Sequence, residues 1–171
     1  MASASMILLL ALMLDVLPPA TQAPPKPPQA HAPHIASAAE ARRAERWTLD
    51  EIFVALREIE TGGIKNEGRR AIGDGGKAIG PLQIHRDYWL DSGVPGRFED
   101  CRDPAYARKV VLAYWRRYCP EALEKLDAEV LARVHNGGPK GDRKDATKVF
   151  WRKVESELRR QREKARGGKL V

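Results

Sequence analysis

Residues 47–63 read WTLDEIFVALREIETGG, and this stretch decides the fold because it predicts an amphipathic helix with both ends marked. Thr48 is the predicted N-cap, Glu51 completes a capping box, and Trp47 is placed to pack over the first turn. A double glycine at 62–63 ends the helix. Apolar residues recur at spacings of three and four, which is the period of a helix with one buried face. That buried stripe consists of Leu49, Ile52, Phe53, Leu56 and Ile59.

Two carboxylates near the end of this helix suggest a glycoside hydrolase. Glu60 lies four residues after Leu56 and shares its face, so its carboxyl group is expected against the core. Apolar surroundings favour the protonated form, which a general acid requires. Asp74 lies between glycines in a polar turn and is expected to stay ionised. Taken singly, each residue is also typical of a solvated charge or a turn.

The segment after Asp74 predicts a small β element and then a helix. Apolar pairs at 71–72 and 78–79 flank a glycine-rich turn and predict a short hairpin. Pro81 is expected to start a helix over residues 81–90, with Gln83 in its first turn close to the cleft. Ser92-Gly93 ends this helix.

The remaining chain predicts further helices. Asp103-Pro104 is an N-cap followed by proline, and the helical spacing continues to Cys119. Pro120 and Asp127 begin two shorter helices, the second of which stops at a Gly-Gly-Pro run. A last helix is predicted over residues 152–166. The fold class predicted from these elements is mainly α with a minimal β-hairpin.

Several short motifs occur together in a fixed order. They are ETGG at 60–63, Asp74, GPLQI at 80–84, YW at 88–89, Cys101, HNGGPKG at 135–141 and FW at 150–151. Over residues 47–157 this series resembles the invertebrate-type (destabilase) lysozymes. The resemblance implies a lysozyme-like α+β fold with the hairpin beside the active-site cleft. It also implies cleavage of the β-1,4 bond between N-acetylmuramic acid and N-acetylglucosamine in peptidoglycan.

The resemblance also implies roles for individual residues. Glu60 matches the catalytic glutamate, expected as general acid, and Asp74 matches the catalytic aspartate, expected as nucleophile or electrostatic stabiliser. The spacing from Asp74 to Gly80 is one residue shorter than in the family. Residues expected to bind substrate are Gln83, Tyr88, His135, Asn136 and Gly137. From the residues alone, Tyr88 also fits a core aromatic and His135 a helix-capping histidine.

Cysteine usage departs from the family, whose members are normally rich in cysteine. Only Cys101 and Cys119 are present, and the helix between them spans about 22 Å. Bridged cysteines need Cα atoms within about 7 Å, so both are predicted to be free thiols. Some members are credited with isopeptidase activity through a serine at the position of Asp100, and that activity is not expected here. Neither a cofactor nor a metal site is predicted, because the cysteines and histidines show no ligand spacing.

The predicted domain organisation has four parts. Residues 1–23 are a predicted signal peptide, 24–43 a Pro/Ala-rich linker, 44–162 the catalytic domain and 163–171 a basic C-terminal tail. The apolar run at 6–14 is too short to span a bilayer, so no stable membrane span is expected. No Lys or Arg precedes this run, so the alternative that it is not a secretory signal stays open. The predicted location is secreted or periplasmic.

The formal net charge is +7, from 30 basic and 23 acidic residues. A positive field favours anionic wall polymers and nucleic acid alike. The predicted partner is peptidoglycan or a related amino-sugar polymer, without a dedicated nucleic-acid site, because basic and aromatic residues show no common surface pattern. Three alternatives stay open: a lytic transglycosylase using Glu60 alone, a non-catalytic basic wall-polymer-binding module, and a lysozyme relative that has lost activity.

Overall fold

The computed structural model describes residues 46–167. The predicted signal peptide (1–23) and linker (24–43) lie outside the described residues. The elements in chain order are α1 (Leu49–Thr61), β1 (Ile72–Gly73), β2 (Ala78–Ile79), β3 (Ile84–His85), α2 (Arg86–Ser92), α3 (Pro104–Tyr118), α4 (Pro120–Lys125), α5 (Ala128–Gly137) and α6 (Thr147–Gly167). Short 3₁₀ turns lie at Asn66–Gly68, Asp74–Gly76, Phe98–Arg102 and Gly141–Arg143. The prediction of a mainly helical fold with a minimal β element is confirmed.

Helix α1 is built as its sequence predicts. The Thr48 hydroxyl accepts from the Glu51 amide at 3.2 Å, and the Glu51 carboxylate accepts from the Thr48 amide at 2.7 Å. Gly62 adopts a left-handed conformation (φ 60°), which ends the helix. Ile52 and Leu56 of the predicted stripe are completely buried. Helix α1 therefore forms one wall of the core, which it shares with residues of α3, α5 and α6.

The sheet confirms the hairpin but corrects the helix predicted after it. Strands β1 and β2 pair antiparallel, and β3 adds to β2 with Ile79 opposite Ile84. The prediction of a helix from Pro81 is wrong, since α2 begins only at Arg86. Gly80 (φ 76°) and Gln83 (φ 44°) are both left-handed, which interrupts helical geometry.

Gly80 is required at this turn for space as well as for conformation. A Cβ atom added there would lie 2.1 Å from the carbonyl oxygen of Cys101. The turn therefore packs backbone against backbone, on the segment that leads into α3.

The later helices follow the sequence closely. Asp103 caps α3 by accepting from the amides of Ala105 and Tyr106. Helix α6 begins at residue 147, five residues earlier than predicted. It continues to residue 167, so the predicted boundary between domain and tail at 162–163 falls inside it. None of the helices between residues 46 and 167 combines the length and apolar character needed to cross a bilayer.

Both cysteines are free, as predicted. Cys101 is buried and Cys119 is half-buried. Burial raises the pKa of the Cys101 thiol to about 12 and that of Cys119 to about 11. Both side chains therefore act as small apolar groups, and packing of the core stabilises the fold.

Candidate active site

A cleft of about 200 Å³ lies where the end of α1, the sheet, α2 and the end of α5 come together. Its lining residues are Glu60, Asp74, Ala78, Gln83, His85, Tyr88, His135 and Asn136. Six of the seven residues selected from the sequence therefore share one cleft. The seventh, Gly137, follows Asn136 and does not line the cleft; its carbonyl accepts from the Lys144 ammonium.

Glu60 is held on the helical side of the cleft by a buried histidine. Its side chain is 17% exposed, and its Oε1 lies 3.5 Å from Nε2 of His135. The His135 side chain is only 3% exposed and lies in the last turn of α5. His135 is therefore a direct neighbour of the acid.

Tyr88 contacts the other ring nitrogen of His135. Its hydroxyl lies 3.3 Å from Nδ1 of His135, and its ring stacks on Tyr114 with 3.6 Å between centroids. Burial, with smaller contributions from Tyr114, Cys119 and Glu60, raises the pKa of Tyr88 well above its usual range. The phenol keeps its proton, so it can donate to Nδ1 in the His135 tautomer that carries its proton on Nε2, the nitrogen nearer to Glu60.

Tyr114 covers one face of the Tyr88 ring, so that face of the ring is closed to substrate. Trp89, the other member of the aromatic pair, belongs to the packing. Its indole Nε1 donates to the Tyr106 hydroxyl at 2.9 Å, and its ring packs on Phe98.

Asp74 lies on the sheet side of the cleft in a different environment. It is left-handed (φ 46°) and begins the turn before β2, with two further left-handed residues at Gly75 and Gly76. Its side chain is 61% exposed, and its Oδ2 lies 3.6 Å from Nε2 of His85. The backbone of the turn thus presents this carboxylate to solvent.

His85 is the site residue that the sequence analysis missed. It lies on β3 opposite Ala78 of β2, which brings its ring to the Asp74 turn. The helix predicted over residues 81–90 concealed this position. Recognition of the left-handed turn at Gly80–Gln83 would have revealed a strand there.

Gln83 is fixed between the turn and the first strand. Its Nε2 donates to the Gly80 carbonyl at 2.9 Å. A Cβ atom on Gly73 would lie 2.1 Å from its Oε1, so the side chain occupies the space that this glycine leaves open. Gln83 thus presents a positioned amide group to the cleft.

The cleft combines two carboxylates in contrasting surroundings. A half-buried carboxyl group suits proton transfer, and an exposed carboxylate suits stabilisation of positive charge. Throughout residues 46–167, no three His, Cys, Asp or Glu side chains are grouped to hold a metal ion.

Known proteins resemble this chain in both sequence and structure, although no family model matches it. It is 35% identical over 101 residues to an invertebrate-type lysozyme of Ruditapes philippinarum, covering 58% of this chain and 74% of that protein. It is 39% identical over 82 residues to Lysozyme 1 of Crassostrea virginica, covering 47% of this chain and 45% of that protein.

The match to the Crassostrea protein therefore spans less than half of that relative's length. Among solved structures, the Tapes japonica lysozyme matches with a TM-score of 0.52 and 33% identity. This match covers 61% of the present chain and 85% of that one. The resemblance inferred from the motifs is confirmed.

Proposed function

Because this chain belongs to the invertebrate-type lysozyme family, we propose that it hydrolyses the β-1,4 bond between N-acetylmuramic acid and N-acetylglucosamine in peptidoglycan. The observation that carries the proposal is the cleft lined by both Glu60 and Asp74. Glycoside hydrolysis requires one carboxyl group that gives a proton and a second that meets the positive charge on the sugar. The contrasting burial of these two residues supports that division.

In this mechanism Glu60 protonates the glycosidic oxygen as the bond breaks. His135 is a positioning residue, since its Nε2 lies 3.5 Å from the Glu60 carboxyl group. Tyr88 orients His135 in turn through the contact between its hydroxyl and Nδ1. A positioned acid of this kind contributes about 10² to 10⁴-fold to the rate.

Asp74 acts on the opposite side of the bond. Its exposed carboxylate stabilises the oxocarbenium-like sugar or attacks the anomeric carbon, with His85 as its neighbour. Water supplies the new hydroxyl group at the anomeric carbon: in the retaining course it displaces Asp74 and returns a proton to Glu60, and in the inverting course Asp74 takes its proton. Retaining enzymes have their carboxyl groups about 5 Å apart and inverting enzymes about 6.5 to 9.5 Å apart. The anomeric configuration of the released sugar distinguishes the two outcomes.

Substrate contacts are assigned to the other polar groups of the cleft. Gln83 and Asn136 can hydrogen-bond N-acetyl groups and hydroxyls, and Tyr88 contributes its hydroxyl edge. Gly137, which does not line the cleft, stays a prediction from the sequence. The proposed reaction needs no cofactor, because Glu60 supplies the acid, Asp74 supplies the second carboxylate, and water is the other substrate.

The proposed place of action is outside the cytoplasm, where peptidoglycan is found. The net charge of +7 favours approach to an anionic wall, with an attraction that weakens as salt is added. The predicted signal peptide at 1–23 would deliver the protein there.

The test is digestion of purified peptidoglycan by the unmodified protein, Glu60→Gln and Asp74→Asn, with identification of the released ends. We expect reducing muramic acid ends from the unmodified protein and losses of about 10²-fold or more in both variants. Glu58→Gln is the matched control, because it removes a half-buried carboxylate from the same helix two residues away.

Three results would contradict the proposal. Unchanged activity in Glu60→Gln would remove the general acid from the mechanism. A 1,6-anhydro product with full activity in Asp74→Asn would indicate a lytic transglycosylase. Wall binding without product release in any protein would indicate a non-catalytic binding module.

A further inference from the structure

A second pocket, of about 330 Å³, adjoins the cleft, and His85 lines both. Its other lining residues are Gly76, Lys77, Arg86, Asp87 and Phe98. Gly76 and Lys77 follow directly on Asp74, and Arg86 and Asp87 follow directly on His85. The second pocket is therefore the continuation of the cleft beyond its sheet side, within the range of about 300 to 1,000 Å³ typical of ligand sites.

The charged groups of this second pocket are unpaired. Lys77, Arg86 and Asp87 are all exposed, and among the described residues none of them has an ion-pair partner. Phe98 is half-buried and packs on Trp89, so its ring forms a fixed apolar wall beside these charges. Two cations, one carboxylate and an aromatic ring thus surround an open space next to the proposed reaction centre.

We propose that the second pocket binds the stem peptide that muramic acid carries in peptidoglycan. This inference rests on the proposed function of the cleft. A stem peptide leaves the sugar through a lactyl group and bears carboxylates, short apolar side chains and, at its diamino acid, an ammonium group. Lys77 and Arg86 match the carboxylates, Asp87 matches the ammonium group, and Phe98 contacts the apolar portions.

The position of the second pocket determines which sugar is recognised. His85 lies between the cleft and the second pocket. A glycan chain bound across Asp74 would therefore place the stem peptide of a neighbouring sugar over His85. A glycan without peptides places nothing in the second pocket. The protein is therefore selective for peptide-bearing peptidoglycan over neutral N-acetylglucosamine polymers, and part of that selectivity is ionic.

The experiment measures binding to a Glu60→Gln protein, so that turnover does not interfere. The ligands are the disaccharide of N-acetylglucosamine and N-acetylmuramic acid carrying a lysine-containing pentapeptide, and the same disaccharide without peptide. We expect the peptide to tighten binding about fivefold at low salt, since each exposed ion pair adds roughly twofold to fivefold. Most of this gain should disappear at 1 M salt.

Removing the charges of the second pocket tests whether they cause the gain in affinity. Adding Lys77→Gln and Arg86→Gln should abolish most of the fivefold gain and leave the bare disaccharide unaffected. Lys109→Gln with Arg116→Gln is the matched control, because it removes two exposed charges from α3. Asp87→Asn should weaken binding of the peptide-bearing disaccharide about twofold when the lysine of the peptide carries a free amine. When that amine is acetylated, the same substitution should have no effect.

Equal affinity for the two disaccharides would overturn the inference, and so would an equal loss for both ligands in the Lys77 and Arg86 variant. The proposed function fails separately, by the absence of released reducing ends in digestion by the unmodified protein. A peptide-dependent gain in binding without hydrolysis would support the second pocket and contradict the enzyme.

Discussion

The two sides of the cleft hold their carboxylates by different means. On the helical side, Glu60 is 17% exposed and His135 beside it 3% exposed, both on long packed helices. On the sheet side, Asp74 is 61% exposed and His85 47% exposed, on a turn and a two-residue strand.

The two carboxylates are therefore positioned in two different ways, one by side-chain packing and the other by backbone conformation. The helical side depends on apolar residues beneath it, and the sheet side depends on left-handed residues that only certain sequences tolerate. Changes to the core should therefore affect the helical side first, and changes to the turn should affect the sheet side.

The largest expected effect comes from the core below Glu60. Leu56→Ala removes a completely buried side chain one turn before the acid and should lower the free energy of unfolding by about 3 kcal/mol. Ile72→Ala on β1 is the control, since this side chain is 60% exposed and the change should stay within about 0.5 kcal/mol. Urea unfolding measures both, and equal losses would remove the distinction between the two sides.

The next largest effect on stability is expected from the ion pair between Glu51, near the start of α1, and Arg162 of α6. Hydrogen bonds from Arg162 of α6, at 2.8 and 3.1 Å, lower the pKa of Glu51 to about 2. A lowered pKa in the folded protein means stability that is present above the ordinary value of 4.5 and lost as the pH falls towards 2.

With allowance for partial exposure, this contribution is about 2 kcal/mol. Unfolding measured between pH 5 and 2 should show a smaller loss of stability in Glu51→Gln than in the unmodified protein. Parallel pH curves for the two proteins would exclude the ion pair as the anchor.

The two histidines allow a direct comparison of the sides. His135→Phe keeps a ring of similar size but removes the contacts with Glu60 and Tyr88, and kcat should fall about tenfold with little change in KM. His85→Phe loses only an exposed contact with Asp74 and should lower kcat about threefold. Steady-state kinetics on soluble peptidoglycan fragments tests the order, and a larger effect at His85 would reverse the comparison.

The smallest expected effect concerns the turn itself. Gly73→Ala places a Cβ 2.1 Å from Oε1 of Gln83 and should displace that side chain, which would raise KM about threefold. Gly75→Ala meets no atom within 4 Å but imposes a side chain at φ 62°. It should cost about 1 kcal/mol of stability and leave KM unchanged. Identical KM values for the two variants would mean that Gln83 makes no substrate contact.

Local patterns in the sequence predicted most of the scaffold. Helix α1 with its capping box, the β1–β2 hairpin, the proline-started α3 and the free cysteines all follow from spacing and capping rules. These features depend on residues within a few positions of one another, which is the range over which such rules operate.

The parts that the sequence did not predict depend on contacts between distant segments. Pro81 looked like a helix start, but the turn around it packs against the Cys101 backbone and sends Ile84 into the sheet. The burial of His135 depends on Glu60 and Tyr88, which are 75 and 47 residues away. Periodicity carries no information about such partners, so His85 was missed and the contacts of His135 with Glu60 and Tyr88 were not predicted.

The absence of a cystine bridge gives this protein an independence from redox conditions. Both of its cysteines are free, and neither Cys101 nor Cys119 ionises near neutral pH. Folding needs no oxidant and no disulfide isomerase, and millimolar dithiothreitol should leave the melting temperature unchanged. The chain should therefore reach its folded state in a reducing cytoplasm, where a protein that depends on cystine bridges would lack them.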